Sequence, residues 1–280
     1  MAHYRFLRQY IGPVKAVILD WSGTTADKYV IAPAVVFKDV FEKHRVPITM
    51  EEARLPMGLR KDLHIKALTE IPEVRERWHS VYNRYPNQQD VDNMFKDFVP
   101  MQLACLPKYT TLIPGCVEAT QRLQNELKCK LGTTTGFTRA MVDILLADAI
   151  KQGYKPDVTV AGDEVINGAR PKPHMVYKNM DLLDVNPIQA VVKVDDTVSG
   201  VGEAIEAGCW GVGVARYSNY MGIHTLEDEA KVSAEDMEVR TEKSRDLLRK
   251  SGAHYVIDSI AELPEVVEDI NQRLARGEKP

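Results

Sequence analysis

Cysteine is scarce in this chain of 280 residues, and Cys105, Cys116, Cys129 and Cys209 lie too far apart for a C-x-x-C pair. That spacing excludes a zinc ribbon or disulfide framework and reads as reduced, partly buried thiols of a cytoplasmic protein. No apolar run approaches the roughly 18 residues that a membrane span needs. The opening MAHYRFLRQYIGP interrupts its apolar residues with His3, Arg5 and Arg8, so it has no signal-peptide apolar region. An excess of positive charge is missing too. The 36 Lys and Arg face 40 Asp and Glu, a net charge of −4, which leaves no global basic surface for nucleic acid. A composition of 44% hydrophobic and 27% charged residues is globular and rules out wholesale disorder.

Strand signals come first in VKAVILDW, Val14 to Trp21, an almost unbroken apolar run suited to a strand buried on both faces. Similar runs recur at Lys130–Thr135, Val158–Gly162, Ala190–Asp196 and Trp210–Ala215, with helical stretches between them. The alternation predicts an α/β fold, a doubly wound parallel sheet with right-handed crossovers. It is interrupted once. Residues 33–107, about 75 of them, lack a convincing strand and read as successive helices, far beyond an ordinary βα connection. The expected organisation is therefore an α/β core of residues 1–32 and 108–280 with an inserted all-helical cap of residues 33–107. The segment Thr225–Lys250 reads as a charged, solvated helical face.

Ligands of open parallel sheets bind at the carboxyl ends of the strands. Asp20 ends the first run, Thr134 and Thr135 the second, Asp195 and Asp196 the fourth, and Arg170 precedes a helix. Carboxylates, a hydroxyl and a guanidinium at one sheet edge suit a Mg²⁺ and phosphate site, and Gly23, Thr24 and Thr25 offer further donors to an anion. A single Asp after a buried strand also reads as a cap for the next turn. The whole ordered constellation does not.

These motifs resemble the haloacid dehalogenase superfamily. DWSGTT (Asp20–Thr25) is similar to its first motif, with Asp20 as the implied nucleophile. GTTTGFTR (Gly132–Arg139) is similar to the second, where Thr135 and Gly136 would bind phosphate. ARPKP (Ala169–Pro173) resembles the third, with Arg170 where many relatives carry Lys, and VDDTVSG (Val194–Gly200) the acidic fourth. Most phosphatases and mutases of the superfamily carry a second Asp two positions after the nucleophile, where it protonates a leaving alkoxide. Here that position is Ser22, and a serine hydroxyl is far too weak an acid.

PMGLRKDLHIKALTE (Pro56–Glu70) resembles the lid segment of the phosphonatases, the phosphonoacetaldehyde hydrolase family. The resemblance implies that Lys61 forms a Schiff base with the substrate aldehyde, so that carbon departs as an enamine when the C–P bond breaks. It further implies Mg²⁺ held by Asp20, Asp196 and the Ser22 carbonyl, Met57 and Gly58 lining the substrate pocket, and a homodimer. By itself Met57 reads as core packing. Periodicity adds an independent point: Lys61, His64, Ile65 and Leu68 share one helical face. Apolar neighbours would favour the neutral amine, and His64 could shuttle protons. On the helix alone, a snorkelling lysine and a satisfied core histidine fit as well. Departures from the family pattern are Ser22 for Ala, Phe137 for Tyr, Val30 for Cys, Gly200 for an acid and Asp195 for Gly.

The expected activity is hydrolysis of phosphonoacetaldehyde to acetaldehyde and phosphate through a lysine Schiff base and an aspartyl phosphate, by a cytoplasmic enzyme. The alternative is a Mg²⁺-dependent phosphatase or mutase of a small phosphoester, which predicts an acid at 22 and has no use for Lys61. A non-catalytic scaffold would not need Asp20 and Asp196.

Overall fold

The computed structural model describes residues 9–280, so His3, Arg5 and Arg8 lie outside the described residues. Six parallel strands form one sheet: β1 (Ala16–Leu19), β2 (Lys130–Thr134), β3 (Val158–Val160), β4 (Val191–Asp195), β5 (Trp210–Val214) and β6 (Tyr255–Ile257). Their order is β3-β2-β1-β4-β5-β6, with Ala16 in register with Lys130 on one side and Val191 on the other. The chain therefore leaves β1 in one direction and returns to its other side at β4. That reversal opens a crevice at the carboxyl ends of β1 and β4.

Alternation along β1 explains its unbroken apolar run. Val17 and Leu19 belong to the large core cluster that takes in Leu123, Met141 and Ile270. Ala16 and Ile18 face the opposite cluster, with Val176, Leu183 and Ala204. Helices α6 (Cys116–Asn125), α7 (Arg139–Gln152), α8 (His174–Leu183) and α9 (Val198–Ala207) follow or precede the strands as expected. Strand β6 has no counterpart in the sequence reading. Only three residues long, half-buried over two of them and at the sheet edge, it carries too little pattern to stand out. The charged stretch Thr225–Lys250 forms α10 (Leu226–Glu229) and α11 (Ala234–Lys250), and α11 buries Thr241, Ser244 and Leu248.

Between β1 and α6 run five helices: α1 (Ile31–Lys43), α2 (Met50–Arg54), α3 (Lys61–Glu70), α4 (Pro72–Tyr82) and α5 (Gln88–Cys105). Helix α1 begins two residues before the boundary expected at 33. Pro33 lies in its first turn, where the N–H that proline lacks has no intrahelical partner anyway. The Asp27 carboxylate accepts from the Ile31 and Ala32 N–H groups at 3.1 and 3.3 Å, which anchors this start. Capping boxes at Thr49–Glu52 and Asn87–Asp90 set the starts of α2 and α5. Helix α5 packs on α1 and α3. At that junction Phe37 stacks on Phe98 at 4.5 Å and on His64 at 3.7 Å. Among the described residues no helix is long and apolar enough to cross a membrane. All four cysteines are free, and three of them are buried.

Phe98 fills this junction without reaching the strand ends. Phe98→Ala should cost about 3–5 kcal/mol by chemical denaturation. A loss below about 1 kcal/mol would contradict tight packing here.

Candidate active site

The strand ends converge on a cleft lined by Asp20, Ser22, Val30, Pro33, Met57, Gly58, Lys61, Thr135, Gly136, Phe137, Arg170, Asp196 and Thr197. Every expected site residue except His64 is therefore on its wall. β1 delivers Asp20, β2 delivers Thr135, β4 delivers Asp196, and α3 starts with Lys61 facing them.

Arg170 is the hub of the charged floor. Its Nη2 donates to Asp20 Oδ1 at 2.6 Å and to the Thr134 hydroxyl and carbonyl at 2.7 and 2.9 Å. Nη2 also lies 3.1 Å from Asp195 Oδ2, and Nε donates to Glu203 Oε2 at 3.1 Å. Lys193, buried within β4, donates to Asp195 Oδ2 at 2.6 Å. Burial opposes ionisation of Asp195, but Arg170 and Lys193 outweigh it and hold its carboxyl below the usual range. Burial pushes Asp20 and Asp196 the other way, upward, and the neighbouring carboxylates add to the rise.

The donor set suits a divalent cation. Oxygens of Asp20, Asp195 and Asp196 lie within 4.8 Å of one another. Four buried carboxylates (Asp20, Asp195, Asp196, Glu203) surround two buried cations, Arg170 and Lys193, leaving two negative charges when all are ionised. Asp195 already spends both oxygens on protein donors, with Oδ1 accepting from the Thr197 N–H and hydroxyl. Asp196 differs: Oδ2 accepts from the Asn219 N–H at 2.8 Å, while buried Oδ1 has no partner. A buried carboxylate oxygen left bare is costly unless a cation or water meets it. Hard oxygen donors with excess negative charge fit Mg²⁺.

The helical segment contributes the other wall. Lys61 is almost fully buried, its ammonium 4.6 Å from the Phe137 ring centroid and 5.7 Å from that of Phe37. Burial brings its pKa from 10.5 down to about 8, with Asp20 opposing the change. His64 lies behind this wall. Its Nε2 faces the Ala53 carbonyl at 2.9 Å, its ring stacks on Phe37, and Nδ1 is unpartnered. Burial, reinforced by the Lys61 charge, holds its pKa well below the ordinary value, so the ring is neutral. Close approach of the two walls explains two glycines. A Cβ at Gly136 would run into the Leu59 carbonyl, and one at Gly58, whose φ is +96°, into the Thr197 hydroxyl.

Sequence reasoning missed Arg54, Lys193, Glu203 and Asn219. Arg54, from α2, donates to Asn219 Oδ1 at 3.1 Å and to the Ile223 carbonyl at 2.8 Å, while Asn219 holds Asp196. A helix before β2 is thereby tied to a loop after β5. One signal was available for Lys193, which interrupts the apolar run of β4, and a buried charge needs a partner; Glu203 shares α9 with Ser199 and Glu206 and does not stand out. Arg54 and Asn219 gave no comparable signal.

Comparison with known proteins agrees with this geometry. Residues 14–208 match the family model of haloacid dehalogenase-like hydrolases. The chain is 40% identical over 273 residues to a phosphonoacetaldehyde hydrolase of Syntrophobacter fumaroxidans, covering 98% of each chain. It is 42% identical over 260 residues to one of Bacillus cytotoxicus, covering 93% of this chain and 97% of that one. The crystal structure of a phosphonoacetaldehyde hydrolase-like protein from Oleispira antarctica superposes with a TM-score of 0.95 at 36% identity, with full coverage of both chains. This chain thus belongs to the phosphonoacetaldehyde hydrolases, a family of haloacid dehalogenase-like hydrolases.

Proposed function

We propose that this chain hydrolyses the C–P bond of phosphonoacetaldehyde, giving acetaldehyde and phosphate. The observation that carries the reading is Lys61, a buried amine softened to a pKa of about 8, in one cleft with Asp20 while position 22 holds no acid. At pH 7 about a tenth of such amines are neutral, against about one in three thousand at the ordinary value.

In the proposed reaction the Lys61 amine adds to the aldehyde carbon and expels water, leaving an iminium. His64, behind the cleft wall and one helical turn from Lys61, takes part in that dehydration as a relay, through its unpartnered Nδ1 and water. Asp20 then attacks phosphorus. The C–P electron pair moves into the iminium, so carbon leaves as an enamine and no acid at position 22 is required. Protonation at carbon and hydrolysis of the imine release acetaldehyde, and water cleaves the acyl phosphate. Arg170 and the Thr135 hydroxyl bind the phosphonate oxygens. Asp20, Asp196 and the Ser22 carbonyl would hold Mg²⁺, whose chemistry there is to screen the anionic phosphonate from the Asp20 carboxylate. In this reading residues 33–107 are a cap domain on a core of residues 1–32 and 108–280, and Met57 and Gly58 shape the substrate pocket.

Three outcomes test the reading. Borohydride with phosphonoacetaldehyde or acetaldehyde should fix a secondary amine on the peptide carrying Lys61. The trapping rate should climb as pH rises through about 8 and level off above it, because only the neutral amine adds. Lys61→Arg should abolish phosphate release while the protein stays folded. An active Lys61→Arg enzyme with no trapped adduct, or turnover of phosphomonoesters in preference, would favour a phosphatase instead.

Mg²⁺ should be essential. At about a hundredfold excess over its Kd it should stabilise the fold by about 2.7 kcal/mol. Asp196→Ala should remove both that gain and turnover; either one surviving in this variant would contradict the assignment.

We further propose a cytoplasmic homodimer. Trp78, Met94 and Phe98 are buried within the helical segment itself, whereas Leu55, Tyr82 and Tyr85 remain exposed. Light scattering at micromolar concentration should give twice the chain mass, and the monomer mass would refute it.

A further inference from the structure

Arg54 is a buried cation whose hydrogen-bond acceptors are all neutral. Its Nη1 donates to the Tyr29 carbonyl at 2.5 Å and to Asn219 Oδ1 at 3.1 Å, with a longer contact to the Asn219 carbonyl at 3.4 Å. Its Nη2 donates to the Ile223 carbonyl at 2.8 Å. Asn219 reciprocates, with Nδ2 donating to the Arg54 carbonyl at 3.1 Å. Burying a guanidinium among neutral acceptors is costly, and the charges that oppose this cost are chiefly those of Asp27 and Asp196. One residue of α2 thus ties the turn before α1 to the loop after β5. The loop carries this tie to the strand ends. Asn219 opens a short 3-10 turn, Asn219–Met221, and its N–H donates to Asp196 Oδ2 at 2.8 Å. Gly23 closes in as well, since a Cβ there would strike the Asp196 carboxylate. Asp196 is therefore held between two backbones, with Oδ1 bare.

We infer, given the Mg²⁺ site of the proposed function, that Arg54 and Asn219 are positioning residues that aim the Asp196 carboxylate at the cation. Asn219 acts through its own N–H, and Arg54 acts by fixing Asn219. The last torsion of an aspartate is broad and selects no orientation by itself. A hydrogen bond from a backbone held in place selects which oxygen faces the cleft. Without the tie to Arg54 that N–H remains in the chain, but the loop that carries it is free to shift. Arg54 belongs to the helical segment that also supplies Met57, Gly58 and Lys61, so the seating of that segment and the affinity for the cation are linked. Such linkage is reciprocal: the cation must favour the seating of α2 as much as Arg54 favours the cation.

Calorimetric titration of the folded protein with magnesium chloride tests this without any turnover. Arg54→Lys keeps the charge but cannot span Asn219 and Ile223 at once, and Asn219→Ala keeps the N–H but loses the tie. Each should weaken the Kd for Mg²⁺ by at least about tenfold. The double variant should be no more than about twofold weaker than the worse single one, because both act on one link. In the wild-type protein, Mg²⁺ should slow amide hydrogen exchange of α2 by at least about threefold more than that of the C-terminal helix Leu263–Ala275. That extra slowing should vanish in Asn219→Ala. Variants that unfold at lower temperature yet bind Mg²⁺ within about twofold of the wild type would show a merely structural pair and overturn the inference. So would a wild-type α2 whose exchange is indifferent to Mg²⁺, a measurement that decides even where a variant does not fold. Failure of the metal assignment looks different: wild-type protein that takes up no Mg²⁺ refutes the site itself, and with it any aiming of Asp196.

Discussion

Everything at the strand ends depends on one buried guanidinium. Arg170 is almost fully enclosed, and it survives there because Asp195, Asp20 and Glu203 surround it. Burial works against its charge, but these carboxylates hold it firmly protonated. Isolated in a dry interior, each of these carboxyl groups would take up a proton. Together with Arg170, Asp195 keeps its charge, while burial still pushes Asp20 and Glu203 upward. The cluster joins β1, β2, β4 and α9 through hydrogen bonds of about normal length. The arrangement also explains why the crevice at the strand reversal is polar although the strands are apolar.

Burial has opposite consequences for the two groups that the proposed chemistry needs. A nucleophilic amine must be neutral, and enclosure of Lys61 against Phe37 and Phe137 moves it that way. A nucleophilic carboxylate must be charged, and the same enclosure pushes Asp20 toward the neutral acid. One dry cleft cannot serve both without help. Arg170 supplies part of it, through the 2.6 Å contact to Asp20. The excess of negative charge on the floor invites a divalent cation to supply the rest. Lys61 lies on a different element from that floor, so its amine can be desolvated without removing Arg170 and Lys193, the charges that favour ionisation of Asp20.

The sequence made the sheet legible because its central strands are short apolar runs that end in chemistry. Asp20, Thr135 and Asp196 stand where a strand stops, and the strand-end rule places them together before any coordinates. Lys61 was legible from helical spacing and from the lid resemblance, and the structure brings it to the same cleft. His64 was legible only in part. Spacing puts it on the face of Lys61, but nothing local says that its ring stacks on Phe37, behind the cleft wall. Arg54 and Asn219 stayed hidden because their partners lie on distant loops, and one charged residue on a short polar helix predicts no such contact. Strand β6 failed for want of length, and the start of α1 because a proline in the first helical turn looks like a boundary.

Pairwise readings of a motif mislead when two positions share one space. Taken singly, Gly200 is a lost acid and Asp195 a surplus one, and each alone suggests a weakened site. In three dimensions a Cβ on Gly200 would overlap the Asp195 carboxylate, so the two positions have to be read together. Asp195 lies between the two buried cations, 3.1 Å from Arg170 and 2.6 Å from Lys193. A carboxylate on β4 is fixed by the sheet register with Val212 and Gly213 of β5, whereas one on α9 would depend on the helix start.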